Sequence, residues 1–456
     1  MARQPHVIVI PHAAQGHVAP LMKLSLQIAA HGVKVTFVNT EFIHEKVMAS
    51  LPAKVEEEKR LISLVSIPDG LEPEDDRQDF VKLTESILRV MPGNLRNLIE
   101  NIKRSDVDEQ IVCVIADMAA GWALEVANEM GIKRVAVLLS GPASMALALH
   151  VPQLIDAGII DTDGTLIKDE SIILSEDIPA WRSSDFSWSC SDPVMQKVLF
   201  VYVSTALKTF KFADQLLCNT FYELDSSVMK LIPKAIPIGP FLASNHIEAF
   251  AGNFCPEDST CLSWLDKQPA GSVVYVALGS TTILNPQQVD ELALGLELTG
   301  IPFLWVISSN LTNGSTAKFP EGFIDRVADL GKIVEWAPQE KVLAHPSVAC
   351  FVSHCGWNST LEGLTMGKPF LCWPYFADQF HNRSYICDVW KIGLAVDKDE
   401  NGIITRNEMS TKIKTLISSD GIKANALQLK EVARKSVNEG GSSFKNFTSF
   451  IELIWH

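Results

Sequence analysis

The sequence predicts an α/β protein of two doubly wound domains with parallel sheets, and three observations carry that expectation. A strand, a loop, a helix and a second strand open the chain, the same plan recurs from residue 273, and 456 residues exceed what one hydrophobic core usually supports. With 47% of residues apolar, there is material for two cores.

The first unit reads as a strand over Val7–Ile10, a loop over Pro11–His17 and a helix opened by Pro20, with Leu21, Leu24 and Ile28 on one face. Gly32 then turns the chain into a strand over Val33–Val38. In the second unit a strand over Val273–Leu278 leads through Gly279-Ser280-Thr281-Thr282 to a helix with Asn285 as N-cap and Pro286 at its first position. Gly300 and a strand over Phe303–Ile307 complete it. Both are βαβ units, the building blocks of Rossmann-like sheets.

Between them, residues 236–256 are rich in Pro, Gly, Ala and Asn without a clear period, which suits a linker with the boundary near residue 250. The expected division is 1–250, 251–440, and a C-terminal helix over 441–456 that packs back toward the first domain. A ligand of such a fold is expected at the C-terminal ends of the strands, in a cleft between the two sheets.

Composition removes several function classes. Lys plus Arg number 39 against 54 Asp plus Glu, a net charge of −15, and no basic run offers the surface that nucleic acid requires. Nine cysteines without a CxxC pair, several in strand-like apolar runs, read as reduced core thiols. The apolar run Val7–Ile10 is too short for a signal peptide, and the longest one, Val135–Val151, is broken by Gly141-Pro142 and carries His150, so no membrane span is expected. A cytoplasmic protein follows, with a monomer as the expected state. Five Asn-x-Ser/Thr sites, at Asn310, Asn313, Asn358, Asn382 and Asn446, agree with that, because a glycan at Asn358 would block the site described next.

The segment from Trp336 to Gln379 concentrates side chains able to hold a base, a ribose, a pyrophosphate and a hexose in 44 consecutive positions. His354-Cys-Gly-Trp-Asn-Ser-Thr360 follows a strand over Ala349–Ser353 and opens a helix that ends before Gly367 and Pro369. Gly356 permits the tight turn, and amides near Asn358 to Thr360 point partial positive charge at an anion. Glu362, one turn beyond Asn358, offers a carboxylate to ribose hydroxyls. Trp336 can stack on a base, Gln339 offers an amide, and Asp378-Gln379 pair an acceptor with an amide for sugar hydroxyls. The rival readings are structural: Trp336 as core, Ser359 and Asp378 as helix caps, Glu362 as a surface charge.

Outside that segment, His17 precedes a helix N-terminus whose dipole favours a neutral imidazole, suited to deprotonating an alcohol or phenol. Asp117, at the end of a strand over Ile111–Ala116, could orient that imidazole and stabilise its charge. Here the rivals are a satisfied loop histidine and a helix N-cap.

The Trp336–Gln379 segment resembles the signature box of plant secondary-product UDP-glycosyltransferases, and the matching plan covers the whole chain. The resemblance implies the GT-B fold and UDP-glucose as donor substrate, with no other cofactor and no metal. It implies that Trp336 stacks on uracil with Ala337 beside it. Gln339 and Glu362 then hold the ribose, and His354, Gly356, Asn358 and Ser359 bind pyrophosphate with Ser280. Trp357, Asp378 and Gln379 meet the sugar, and Gln at the last position of the box points to glucose. His17 and Asp117 resemble the family's catalytic dyad, while Gly16, Ser140 and Phe376 are assigned to the acceptor.

The function expected is inverting transfer of glucose to a hydroxyl of a small lipophilic acceptor, a flavonoid or other phenolic, with a terpenoid or hormone as the alternative. The acceptor pocket is expected in the first domain, from the loop near His17, Leu138–Leu149 and the aromatic stretch Trp181–Phe200. A dinucleotide oxidoreductase lacks its Gly-x-Gly-x-x-Gly loop, and a non-catalytic nucleotide-sugar sensor would have no use for His17 with Asp117. Two acidic motifs read as decoys: Asp161-Thr-Asp163 as a turn, and Asp397–Glu408 as a loop with EF-hand spacing that lacks the preceding helix.

Overall fold

The computed structural model describes residues 4–50, 62–77, 79–105, 109–189, 192–242, 252–307 and 318–456. The expected boundary at 250, Cys190, and the sites at Asn310 and Asn313 lie outside the described residues.

The chain forms two compact units that are not contiguous in sequence. The first comprises Met1–Glu170, Trp188–Pro256 and Ser436–His456, and the second Ser171–Ser187 and Glu257–Lys435. The aromatic stretch Trp181–Phe200 is therefore divided, with Trp181 in the second unit and Trp188 and Phe200 in the first.

The first unit holds a seven-stranded sheet of β1 (Gln4–Ile10), β2 (Lys34–Thr40), β3 (Ile62–Ile67), β4 (Glu109–Asp117), β5 (Lys133–Leu138), β6 (Gln215–Cys218) and β7 (Ala235–Pro237), in the order β3-β2-β1-β4-β5-β6-β7. The second holds β8 (Val273–Ala277), β9 (Phe303–Val306), β10 (Gly331–Val334), β11 (Val348–Ser353), β12 (Phe370–Cys372) and β13 (Gly393–Ala395), in the order β10-β9-β8-β11-β12-β13. The pairings within both sheets are parallel. Such strands are covered on both faces, so they read as near-continuous apolar runs. Every residue of β8 is buried, as is all of β1 beyond Gln4.

In each sheet the chain reverses its direction of winding beside the first strand, between β1 and β4 and between β8 and β11, and loops at such switch points are where doubly wound sheets bind ligands. His17 follows β1 and Asp117 ends β4; Ser280 follows β8 and His354 follows β11. The C-terminal helix Ser442–Trp455 places Phe450, Ile451 and Ile454 in the apolar core of the first sheet, and Asn446 donates to the Pro237 carbonyl (2.8 Å).

The first helix runs Gln15–Ala29, so it begins five residues ahead of Pro20. The Ala14 carbonyl accepts from the amides of His17 and Val18 (both 2.9 Å), and Gln15 takes the Phe254 amide on its Oε1 (2.8 Å). Those bonds start the helix early, and Pro20 in its second turn forgoes only the bond that would run to the Gly16 carbonyl. His17 is thus the third residue of the helix rather than the last of a loop. Asn285 caps the helix Pro286–Thr299 through the Gln288 amide (2.8 Å), as its Asn-Pro sequence reads.

Candidate active site

In the first unit His17 Nδ1 lies 2.6 Å from Asp117 Oδ2, with the His17 side chain 34% exposed and that of Asp117 3%. The other oxygen, Oδ1, accepts from the Ala119 amide at 2.7 Å and caps the 3-10 turn Met118–Ala120. Asp117 thus contacts the imidazole with one oxygen and caps the turn with the other. Burial by itself would raise this carboxyl, but the His17 charge and hydrogen bond, the His12 charge and the Ala119 amide together hold it below the usual range.

His12 was not anticipated from the sequence. Its ring stands edge-on to that of His17, with centroids 5.1 Å apart, and faces Tyr202 on its other contact at 5.7 Å. Burial first, and then the neighbouring His17 charge, push it down to about 4, so His12 stays neutral near pH 7. Its place five residues before His17, within the Pro11–His17 segment that the sequence reads as a loop, was the available signal. Of the expected acceptor residues, Gly16 and Ser140 belong to the first unit and Phe376 to the second. Ser140 follows β5, 3.4 Å from the Ser144 hydroxyl, and Gly16 is exposed in the first turn of the His17 helix.

The second unit gathers the box residues around the loops after β8, β10, β11 and β12. Trp336 is half-buried after β10, so it is not a core residue, and Ala337 beside it is buried. Gln339 opens the helix Gln339–Ala344; its Oε1 accepts from the Tyr275 hydroxyl (3.1 Å), and its Nε2 donates to Ser359 Oγ (2.9 Å) and Glu362 Oε2 (2.7 Å). Ser359 and Glu362 are each 9% exposed, so neither is a surface group and Ser359 is not a cap. Tyr275, inside an apolar strand, had no sequence signal of this role.

The tight turn after β11 differs from expectation in one respect. The left-handed residue is Cys355 (φ 65°), whereas Gly356 has φ −59°. Gly356 is needed for space instead: a Cβ there would come within 2.4 Å of His354 Nε2, and one on Gly279 within 2.6 Å of the same atom. The imidazole is sandwiched between two glycines from two loops, and burial pushes it down to about 4 against a bond to the Ala277 backbone. The helix Trp357–Thr365 follows, and because the Thr360 amide already donates to the Gly356 carbonyl (2.9 Å), the amides ahead of the ladder are those of Trp357, Asn358 and Ser359.

Asp378 precedes the helix Gln379–Ser384 without capping it by its side chain; its Oδ2 accepts from Asn382 Nδ2 (3.1 Å). The same amide donates to the Cys355 carbonyl (2.9 Å), tying the turn after β11 to the Asp378 segment. Gln379 is buried, and its Oε1 accepts the amides of Tyr375 (2.7 Å) and Phe376 (3.1 Å), so its NH2 group is what it can offer a sugar.

Asp161 accepts the amides of Asp163 and Thr165 in an Asx turn, as its motif reads. The Asp397–Glu408 loop follows strand β13; Glu408 takes the Asp397 amide, and Lys412 contacts Asp397 (3.0 Å) and Glu408 (3.5 Å). Among the described residues no helix is long and apolar enough to cross a membrane.

Two Rossmann-like units of this strand order, one with a His-Asp pair and the other with a glycine-flanked imidazole and a helix N-terminus at its switch point, define a nucleotide-sugar-dependent transferase of the GT-B class. A family model described as UDP-glucoronosyl and UDP-glucosyl transferase matches residues 6–437, and the chain belongs to this UDP-glycosyltransferase family. It is 43% identical to UDP-glycosyltransferase 83A1 of Arabidopsis thaliana over 99% of this chain and 97% of that one. It is 33% identical to linamarin synthase 1 of Manihot esculenta over 99% and 97%. Among solved structures it is similar to a UDP-glucose:anthocyanidin 3-O-glucosyltransferase in complex with UDP, at 25% identity and a TM-score of 0.83 over 100% of this chain and 99% of that one.

Proposed function

We propose that the protein transfers glucose from UDP-glucose to a hydroxyl of a small lipophilic acceptor, a flavonoid or other phenolic first, with inversion to a β-glucoside. The observation that carries the catalytic part is the 2.6 Å contact between His17 Nδ1 and Asp117 Oδ2. It fixes the imidazole so that its other nitrogen takes the acceptor proton, while the buried carboxylate stabilises the imidazolium that forms. The acceptor oxygen attacks the anomeric carbon from the face opposite the leaving UDP, the C–O bond to the diphosphate breaks, and the α-linked donor becomes a β-glucoside.

On the donor side, Trp336 stacks on uracil and Glu362, set by Gln339, takes the ribose hydroxyls. His354, Ser280 and the helix start at Trp357–Ser359 meet the diphosphate charge without a metal, and Asp378 with the Gln379 NH2 group hold the sugar. Asn382 is buried and its amide is tied to Cys355, while the Asn446 amide is tied to Pro237, which supports a cytoplasmic setting where such sites carry no glycan. We take the working form to be a monomer.

The relatives' names span linamarin synthesis, 7-deoxyloganetin glucosylation and anthocyanidin 3-O-glucosylation, and the 7-deoxyloganetin enzyme supports a terpenoid acceptor as the second reading, with a hormone beside it. Incubating phenolic, terpenoid and hormone acceptors with UDP-glucose in the presence of EDTA, and scoring product mass and anomeric configuration, tests both. A phenolic β-glucoside is expected; α-product or loss of all turnover in EDTA would sink the mechanism.

A further inference from the structure

Residues 171–187 cluster with the second unit although the chain on either side of them belongs to the first. Ile172 and Trp181 exchange two backbone hydrogen bonds (both 2.9 Å), closing the segment into a strap, and Ile172, Ile178 and Trp181 are 5%, 4% and 1% exposed. The Trp181 ring lies against His381, with centroids 4.7 Å apart and planes tilted by 32°.

His381 is fully buried and is the third residue of the helix that begins at Gln379. Burial pushes it down to about 3, so the contact is between two neutral rings. Among the described residues neither its nitrogens nor the Trp181 indole nitrogen has a hydrogen-bond partner, an arrangement that packing alone would replace with Phe or Leu, since buried polar atoms without partners are unfavourable. On either side of His381 stand the residues that face the donor. Gln379 organises the 375–376 amides, and Asn382 joins Asp378 to the turn that follows His354.

We propose that Trp181 is a positioning residue of the donor site: from the strap, it fixes the short helix Gln379–Ser384 through His381 and so sets Asp378 and Gln379 for the sugar. The proposal rests on the reading of Asp378 and Gln379 as sugar contacts. It makes the choice of donor sugar depend on a residue more than 150 positions ahead of the box. UDP lacks the sugar, so its binding does not depend on this contact, whereas that of UDP-glucose does.

Calorimetric titration of the full chain with UDP and with UDP-glucose, without acceptor, tests this in the wild type, Trp181→Phe and Trp181→Leu. Loss of an aromatic pair is worth between about two- and ten-fold, and the expected result is that Trp181→Leu weakens UDP-glucose by that factor while UDP stays within about two-fold. Trp181→Phe, which keeps a stacking ring, restores most of the loss. An unchanged ratio of the two affinities in Trp181→Leu overturns the proposal, as does an equal fall in both, which marks a general loosening of the unit. If Trp181→Leu does not fold, Trp181→His is titrated in the same way and judged by the same ratio. A wild-type chain that fails to bind UDP-glucose sinks the donor reading and this inference together; wild-type binding with an unchanged ratio sinks only the inference.

Discussion

Asp117 divides its carboxylate between two elements, giving Oδ2 to His17 Nδ1 at 2.6 Å and Oδ1 to the backbone that starts the next turn. The side chain that orients the proposed base is thereby itself fixed by the main chain at the end of β4. Removing the base and loosening its orienter are expected to have separable effects.

His17→Ala should lower kcat by about 10²- to 10⁴-fold while UDP binding is unchanged, as expected for loss of a general base. Asp117→Asn keeps an oxygen for the Ala119 amide, so its thermal stability should stay near wild type while kcat falls. Steady-state rates beside UDP calorimetry check both, and undiminished turnover in His17→Ala removes the base assignment.

Gly356→Ala isolates the space requirement, because φ −59° suits alanine but the new Cβ would sit 2.4 Å from His354 Nε2. The ring has to move, and UDP affinity is expected to fall on the order of ten- to hundred-fold. Unchanged UDP affinity would show that the position of His354 does not matter to the diphosphate.

A neutral His354 carries a single ring proton, and one ring nitrogen is engaged by the Ala277 backbone. To donate to a diphosphate as well, the imidazole must take up a proton, so UDP binding should be accompanied by proton uptake that grows as pH falls from 7 toward 5. Calorimetry in buffers of different ionisation enthalpy measures it, and His354→Asn should abolish the uptake. Equal uptake in both proteins would refute the role.

His381 contributes a pH dependence of stability. Its folded pKa of about 3 lies below the unfolded value near 6.5, so the unfolded chain binds the extra proton between those limits. Stability is complete above about pH 6.5 and is lost as pH falls toward 3. His354 and His12, each pushed down to about 4, add to the same trend. His381→Phe, which cannot titrate but can still stack on Trp181, should flatten the fall in melting temperature between pH 6.5 and 4; an unaltered slope would contradict the burial of a neutral ring.

The two βαβ units, the Asn285 cap and the order of strand, loop and helix around His354 were legible in the sequence because each depends on local signals: apolar runs, Gly and Pro punctuation, and capping residues. The residues proposed for the donor can be read as a group because one continuous segment carries most of them. What only the tertiary structure decided lies between segments distant in the chain. Asp117 meets His17 across 100 positions because β1 and β4 are neighbours in the sheet. Gly279 and Gly356 enclose one imidazole because β8 and β11 pair, and Tyr275 reaches Gln339 from the interior of a strand. Trp181 reaches His381 because a strap joins the second unit out of sequence order. Local chemistry sets the turns and helix starts; parallel pairing of strands remote in sequence brings His17 to Asp117 and Gly279 to the loop of Gly356, and no local pattern encodes that.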